Sequence, residues 1–213
     1  MKPYYEEAGI TIYHGDCKQV LPLVGQFDLL LTDPPYGINA DRDRNSQANG
    51  WVDYGSSGWD KIRVSDELLS ECRSHAKYKC IWGGNYFALP PIMGWLCWDK
   101  GQRDFSLADG ELAWTSENRA MRIFTYSRAQ ALQDGRVHPT QKPIALMKWC
   151  ISLFPATKTV LDPFCGSGTT LVAAKDMGLL AAGIEAEERY CEIAANRLRQ
   201  SVLNFEPERD SCI

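Results

Sequence analysis

The stretch KTVLDPFCGSGTT, Lys158 to Thr170, decides the fold. A short apolar run ends on an acid, a glycine corner follows at Gly166-Ser167-Gly168, and Thr169 and Thr170 open the helical pattern GTTLVAAKDM (168–177). Glycines there let backbone approach a ligand where a side chain would obstruct it, and the helix behind presents its N-terminus. That is the pattern of a nucleotide-type pocket at the mouth of a parallel strand. Glu185 ends the next strand-like run, LLAAGIE (179–185), 17 residues after Gly168, near the offset at which an acid meets ribose hydroxyls in doubly wound sheets. The GxGxxG pattern is incomplete, and a bare GxG is equally a tight turn before a helix. Asp162 changes the balance. A carboxylate just before the loop would repel a pyrophosphate and attract an ammonium, so a ligand carrying a cation and a ribose, S-adenosylmethionine, fits better than NAD. An NAD-dependent oxidoreductase is the bland alternative on the same type of sheet.

A second strand-like run, FDLLLT (27–32), ends in the corner Asp33-Pro34-Pro35-Tyr36-Gly37. Apolar residues running into a rigid polar turn suggest a buried parallel strand whose carboxyl end opens onto a ligand crevice. The corner is therefore a candidate catalytic site, against the plainer reading of an ordinary turn after a strand.

Outward from these two corners, β-like runs recur at ITIYH (10–14), KYKCIW (77–82), GWLCW (94–98), ELAWTS (111–116) and MRIFTY (121–126). Helical patterns lie at VSDELLSECRSHA (64–76), PIALMKWCISLF (143–154) and AEERYCEIAANRLRQSV (186–202). Strands alternating with helices imply an α/β sheet covered on both faces. Two polar stretches interrupt the alternation, 37–63 and 99–110, and both are expected on the rim of the crevice.

A chain of 213 residues with 45% hydrophobic content can bury one substantial core, so a single domain over 1–213 is expected. MKPYYEEAGI lacks the apolar core of a secretion signal, and no stretch approaches the roughly 18 apolar residues of a membrane span, so a cytoplasmic protein with no membrane partner is expected. The eight cysteines include no CxxC pair, which supports neither a zinc site nor a disulfide framework. The net charge of −4 excludes a strongly basic coat but not a local basic strip. Such a strip lies in the first rim stretch, where Arg42, Arg44, Lys61 and Arg63 interleave with Trp51, Tyr54 and Trp59. Cations for phosphates beside aromatics for unstacked bases suit nucleic-acid binding, although a solvated loop would have similar composition.

TDPPYG together with LDPFCGSGTT resembles the DNA amino-methyltransferases, which move a methyl group from S-adenosylmethionine to the exocyclic amine of adenine or cytosine. The catalytic corner precedes the cofactor loop, the order of the circularly permuted β class. YHGDC (13–17), IWGGNYF (81–87), CWDK (97–100), HPTQKP (138–143) and GIEAEERYCEIAANRL (183–198) extend the likeness from Ile10 to Leu198. It implies a Rossmann-like, seven-stranded, circularly permuted methyltransferase sheet with helices on both faces. Asp162, Pro163, Phe164, Cys165, Gly166, Ser167, Gly168, Thr169 and the HPTQKP segment would hold the methionine part of the cofactor, with Lys142 near its carboxylate or merely exposed. Glu185 would hold the ribose, and Asp16 would lie near the adenine. The partner implied is double-stranded DNA with the target base flipped out. Site choice would then rest on the rim loops or on the second copy in a homodimer.

An aromatic exocyclic amine is a poor nucleophile because its lone pair is conjugated into the ring. Hydrogen bonds from its two protons to the Asp33 carboxylate and the Pro34 carbonyl would pyramidalise the nitrogen and aim the lone pair at the methyl group. Pro34 and Pro35 stiffen the backbone, and Tyr36 offers a ring on which an extruded base can stack. No metal is required. Methylation at cytosine carbon 5 is disfavoured because no Pro-Cys pair supplies the usual nucleophile. Asp at the first corner position leans toward adenine N6. Cytosine N4, RNA adenine, and a catalytically silent DNA-binding subunit are the alternatives.

Overall fold

The computed structural model describes residues 1–37, 63–103, 108–127, 129–130 and 141–200. Among them nine strands form one sheet: β1 (Tyr5–Glu7), β2 (Ile10–His14), β3 (Phe27–Thr32), β4 (Ala76–Trp82), β5 (Trp95–Asp99), β6 (Gly110–Thr115), β7 (Arg122–Thr125), β8 (Thr159–Asp162) and β9 (Leu180–Glu185). Their order is β1-β2-β9-β8-β3-β4-β6-β5-β7. The sheet thus has two strands more than the seven expected. The extra strands are its edges, β1 antiparallel to β2 and β7 parallel to β5. The inner seven start with the strand that would be third in an unpermuted sheet and take up the first two, β8 and β9, at the end of the chain.

Both faces are covered, as the apolar runs require. Leu29 and Leu31 of β3 face one core with Val160, together with side chains of α3 (Ile144–Ser152), α4 (Thr169–Asp176) and α5 (Glu188–Gln200). Leu30, Ile81 and Leu161 face the other, with Cys17 and Val20 of α1 (Cys17–Val20) and Leu68, Leu69 and Cys72 of α2 (Asp66–Ser74). Successive side chains of a strand point to opposite faces, so one apolar run feeds both cores. Leu29, Leu30 and Leu31 are each fully buried, worth about 1.5–3 kcal/mol apiece. Trp82 and Trp98 lie in the core as their strand positions suggest. Among the described residues no helix is long and apolar enough to cross a membrane.

Local signals set the helix starts. The Ser65 hydroxyl accepts from the Leu68 amide at 3.2 Å, with Asp66 and Glu67 in the first turn of α2. Gly168 begins α4 in the left-handed region at φ 78°, and a Cβ there would lie 2.7 Å from Ala194 of α5. Only glycine fits both the conformation and the close approach.

The chain leaves β3 toward β4 on one side and β8 toward β9 on the other, so the direction of winding reverses between these two parallel neighbours. Crevices in open α/β sheets form at such a switch, outside the carboxyl ends of the strands. β3 and β8 are pinned together at both ends. Asp28 accepts from the backbone amides of Lys158 (2.8 Å) and Thr159 (3.0 Å), and Thr32 donates to Asp162 at 2.7 Å.

Candidate active site

Both corners emerge side by side at the switch point. A hollow of about 720 Å³ is lined by Asp33 and Pro35 from the end of β3, by Asp162 to Ser167 and Thr169 from the end of β8, and by Glu185 from the end of β9. Asp16 and Lys142 also reach its wall. This volume suits a small-molecule ligand, and a Cβ built on Gly166 would meet nothing within 4 Å, so the loop opens where a ligand could approach its backbone. Gly168 starts α4 and comes close to Ala194 of α5.

Asp162 is 3% exposed and accepts from the Thr32 hydroxyl and from the Phe164 amide at 3.2 Å. Burial pushes its pKa up to about 6, against the pull of the Thr170 and Thr32 hydroxyls and the Phe164 amide, and with a further push from Asp33. Glu185 holds the loop by backbone contacts: its carboxylate accepts from the Gly166 amide at 2.9 Å and the Glu187 amide at 2.8 Å. Each carboxylate oxygen has a second lone pair, so ribose hydroxyls can still be accepted there. Burial raises this carboxyl's pKa while the backbone bonds oppose it. Asp16 caps α1, accepting from the Lys18 amide at 2.9 Å, and this fixes its place on the wall.

The Asp33 carboxylate is engaged at both oxygens. Lys142 donates to Oδ2 at 2.5 Å, and the Tyr36 hydroxyl donates to Oδ1. The Tyr36 ring stacks on Tyr86 with centroids 4.9 Å apart at 19°, and meets Phe87 edge-on at 6.3 Å. IWGGNYF therefore borders the corner. Gly83, at φ 64°, leaves room for this ring, since a Cβ there would sit 2.0 Å from Tyr36 Cε1. Pro35 is held from the other side by the Val64 amide, which donates to its carbonyl at 3.2 Å.

Lys142 is buried, against the alternative of an exposed side chain, and its ammonium lies between Asp33 and Glu111, 3.0 Å from the latter, so protein carboxylates already pair its charge. Arg63 has a protein partner: its guanidinium pairs in bidentate fashion with Asp66 at 2.9 and 3.0 Å and lies 5.3 Å from the Phe87 ring centre, because the first turn of α2 puts a carboxylate three residues away. Arg63 thus anchors the start of α2 while its side chain stays exposed. Arg42, Arg44, Trp51 and Lys61 lie outside the described residues, as does His138.

Two groups escaped the sequence reading. Glu111 on β6 joins Lys142 to Lys100, whose ammonium is 2.6 Å away. Arg197 on α5 donates to the Ser167 carbonyl at 2.5 Å and to the Thr169 hydroxyl at 3.1 Å, clamping the glycine loop from behind. Its pattern, an arginine on a helix otherwise read as amphipathic, gives no local signal.

A family model described as DNA methylase, of the N6/N4 type, matches residues 54–196. The Type II methyltransferase M2.DpnII of Streptococcus pneumoniae is 28% identical over 250 aligned positions, covering 92% of each chain. Among solved structures, the M1.HpyAVI–SAM complex superposes with a TM-score of 0.61 at 22% identity, over 89% of this chain and 100% of that one. The PvuII DNA methyltransferase, described as cytosine-N4-specific, also gives 0.61 at 15% identity, over 99% and 91%. At these identities the two structures speak for the fold.

Proposed function

The chain belongs to the DNA methylase family, and on that premise we propose that it methylates the exocyclic amine of adenine in double-stranded DNA at a specific sequence, using S-adenosylmethionine. The observation that carries this reading is the adjacency of the two corners: Asp33 and the glycine loop end neighbouring strands, bridged by Thr32 and Asp162, and open into one hollow.

S-adenosylmethionine brings an electrophilic methyl group on a sulfonium that is its own leaving group. Asp162 would take its ammonium, Glu185 the ribose hydroxyls and Asp16 the adenine edge, while Pro163 to Ser167 and Thr169 supply the wall. The chain's own work on the amine is to accept its two protons at Asp33 and the Pro34 carbonyl, and to stack the extruded ring on Tyr36. Each Asp33 oxygen accepts one protein donor and keeps a second lone pair, so a proton of the amine can be accepted beside Lys142 and Tyr36. Asp33 as the first residue of the corner supports adenine over cytosine.

Residues 1–213 would act as one catalytic unit of the modification type found beside restriction enzymes. Sequence choice would fall to the rim segments 37–63 and 99–110, with Arg42, Arg44, Trp51 and Lys61 on the DNA, or to a second copy in a homodimer. The second rim segment is tied to the site, since Lys100 at its start pairs with Glu111.

Incubating the protein and Asp33→Ala with S-adenosylmethionine and mixed-sequence DNA or RNA, then analysing nucleosides by mass spectrometry, tests the proposal. N6-methyladenine from DNA, absent with the variant, is the expected result. N4-methylcytosine would change the base and keep the corner's role, and methylated RNA alone would change the substrate. Cofactor binding without any transfer would overturn the enzyme reading in favour of a silent binding subunit.

A further inference from the structure

Four charged side chains form an alternating chain: Asp33, Lys142, Glu111 and Lys100, with nitrogen–oxygen distances of 2.5, 3.0 and 2.6 Å in that order. They come from the end of β3, the segment before α3, β6, and the turn after β5. Lys142 is 4% exposed and is flanked by the rings of Trp82 and Tyr36, 5.7 and 5.9 Å from its nitrogen. No helical or strand period aligns these four positions, and only the sheet order brings them together.

A buried ammonium stays charged when carboxylates surround it, and removing one partner of such a group is strongly destabilising. With two carboxylates in contact, Lys142 is already satisfied. Two of its three ammonium donors are directed at Asp33 and Glu111. The shorter contact serves Asp33, whose carboxylate must accept a proton of the amine and so must be ionised and aimed.

We propose that Lys142, braced by Glu111 and Lys100, is a positioning residue that holds the Asp33 carboxylate charged and oriented for the substrate amine. The inference rests on the amine-methylation reading above and adds a residue to it. The charge logic agrees with the geometry. Burial raises the Asp33 pKa, Lys142 opposes that rise by its charge and its hydrogen bond, Glu111 adds to it, and the Tyr36 hydroxyl opposes it. Asp162, facing Asp33 from the end of β8, has its own pKa raised by Asp33. Lys142 and Glu111 thus act on Asp33 in opposite directions, though they belong to one ion chain. Burial also acts against ionised Glu111, but Lys142 and Lys100 overcome it and hold that carboxyl down at about 2, so Glu111 stays charged through the working pH range.

The opposition gives a test that a purely structural role would fail. The full chain, Lys142→Met, Lys142→Arg and Glu111→Gln would be compared in three measurements: S-adenosylmethionine binding by calorimetry, the pH profile of single-turnover methylation, and the titration of the Asp33 carboxyl by carbon NMR. Lys142→Met is expected to slow transfer about a hundredfold, as expected for a misplaced reacting group, and to move the acid limb and the Asp33 titration to higher pH. Glu111→Gln is expected to move both to lower pH. Lys142→Arg should recover part of the rate, with cofactor affinity within about twofold throughout, well inside the tenfold that 1.4 kcal/mol represents. Cofactor affinity reduced tenfold or more by Lys142→Met, with the Asp33 titration unmoved, would overturn the proposal and return Lys142 to the cofactor carboxylate. Equal rate losses in Lys142→Met and Glu111→Gln with unmoved titrations would overturn it in favour of a structural ion chain. Absence of methyl transfer by the unmodified protein would refute the proposed function instead, and the NMR titration would still decide whether Lys142 governs Asp33.

Discussion

The Thr32 hydroxyl donates to Asp162 Oδ1 at 2.7 Å, so the last residue of β3 is bonded to the last residue of β8. On the proposed function this bond links the amine clamp to the ammonium acceptor.

Thr32→Val preserves shape and removes that donor. Asp162 keeps the Phe164 amide and Thr170 but loses one bond inside the protein, which should cost about 1–3 kcal/mol of stability. Urea denaturation measures the loss. Cofactor affinity should fall with it, since the carboxylate is then less well held. An unchanged midpoint and unchanged affinity would show that the bond is incidental.

Asp162 predicts opposite pH trends for stability and for cofactor binding. Its folded pKa, about 6, is raised above the ordinary 3.8 by burial. Between those values the folded protein binds more protons than the unfolded chain, so this residue's contribution to stability is greatest below about 4 and declines as pH rises through about 6. An ammonium ligand needs the ionised form, so affinity should fall about tenfold per pH unit below about 6. Urea denaturation and cofactor titration from pH 4.5 to 8, with Asp162→Asn as the reference lacking both slopes, check the signs.

Arg197→Leu should loosen the glycine loop. The guanidinium bonds to the Ser167 carbonyl and Thr169 hydroxyl are charge-assisted, worth about 1.5–3 kcal/mol each in favourable cases. Cofactor affinity should drop at least about tenfold, corresponding to 1.4 kcal/mol, while DNA binding changes little. These bonds all come from one guanidinium nitrogen, Nη1, so Arg197→Lys, which offers one ammonium nitrogen, should recover part of the affinity. Paired titrations with cofactor and with DNA measure both effects.

Gly83→Ala should separate base handling from cofactor binding. Alanine at φ 64° carries a left-handed penalty of about 1–2 kcal/mol, and its Cβ would lie 2.0 Å from the Tyr36 ring. Tyr36 must move, and the Tyr86 stack must move with it. Methylation should fall more than tenfold with cofactor affinity retained. Intact activity would show that Tyr36 need not occupy this position in the working enzyme.

Much of the fold was legible because buried parallel strands are short apolar runs between glycine or proline corners. FDLLLT and KTVLD coincide with β3 and β8 to within one residue. Tyr5–Glu7 was not legible, since three residues with two exposed acids have no detectable period, and β1 owes its existence to pairing with Ile10–Ile12. Asp33, Asp162 and Glu185 could be found because they end strands. Lys142 was found and given another partner: its segment points to the crevice, but the choice between a ligand and Glu111 depends on β6, far away in sequence. The partner of Arg63 was local by contrast, an acid three residues along in the first turn of α2.

The same pairing of β3 with β8 matters while the protein is being made. The residues joined at their tips are 130 positions apart, so at about 5–20 residues per second β3 leaves the ribosome on the order of ten seconds before its neighbour exists. Throughout that interval the partner for one edge of the Leu29 to Leu31 strand has not been made. A permuted order of the same sheet therefore extends the risk of aggregation over most of synthesis, and leaves the closing of the molecule to its last two strands.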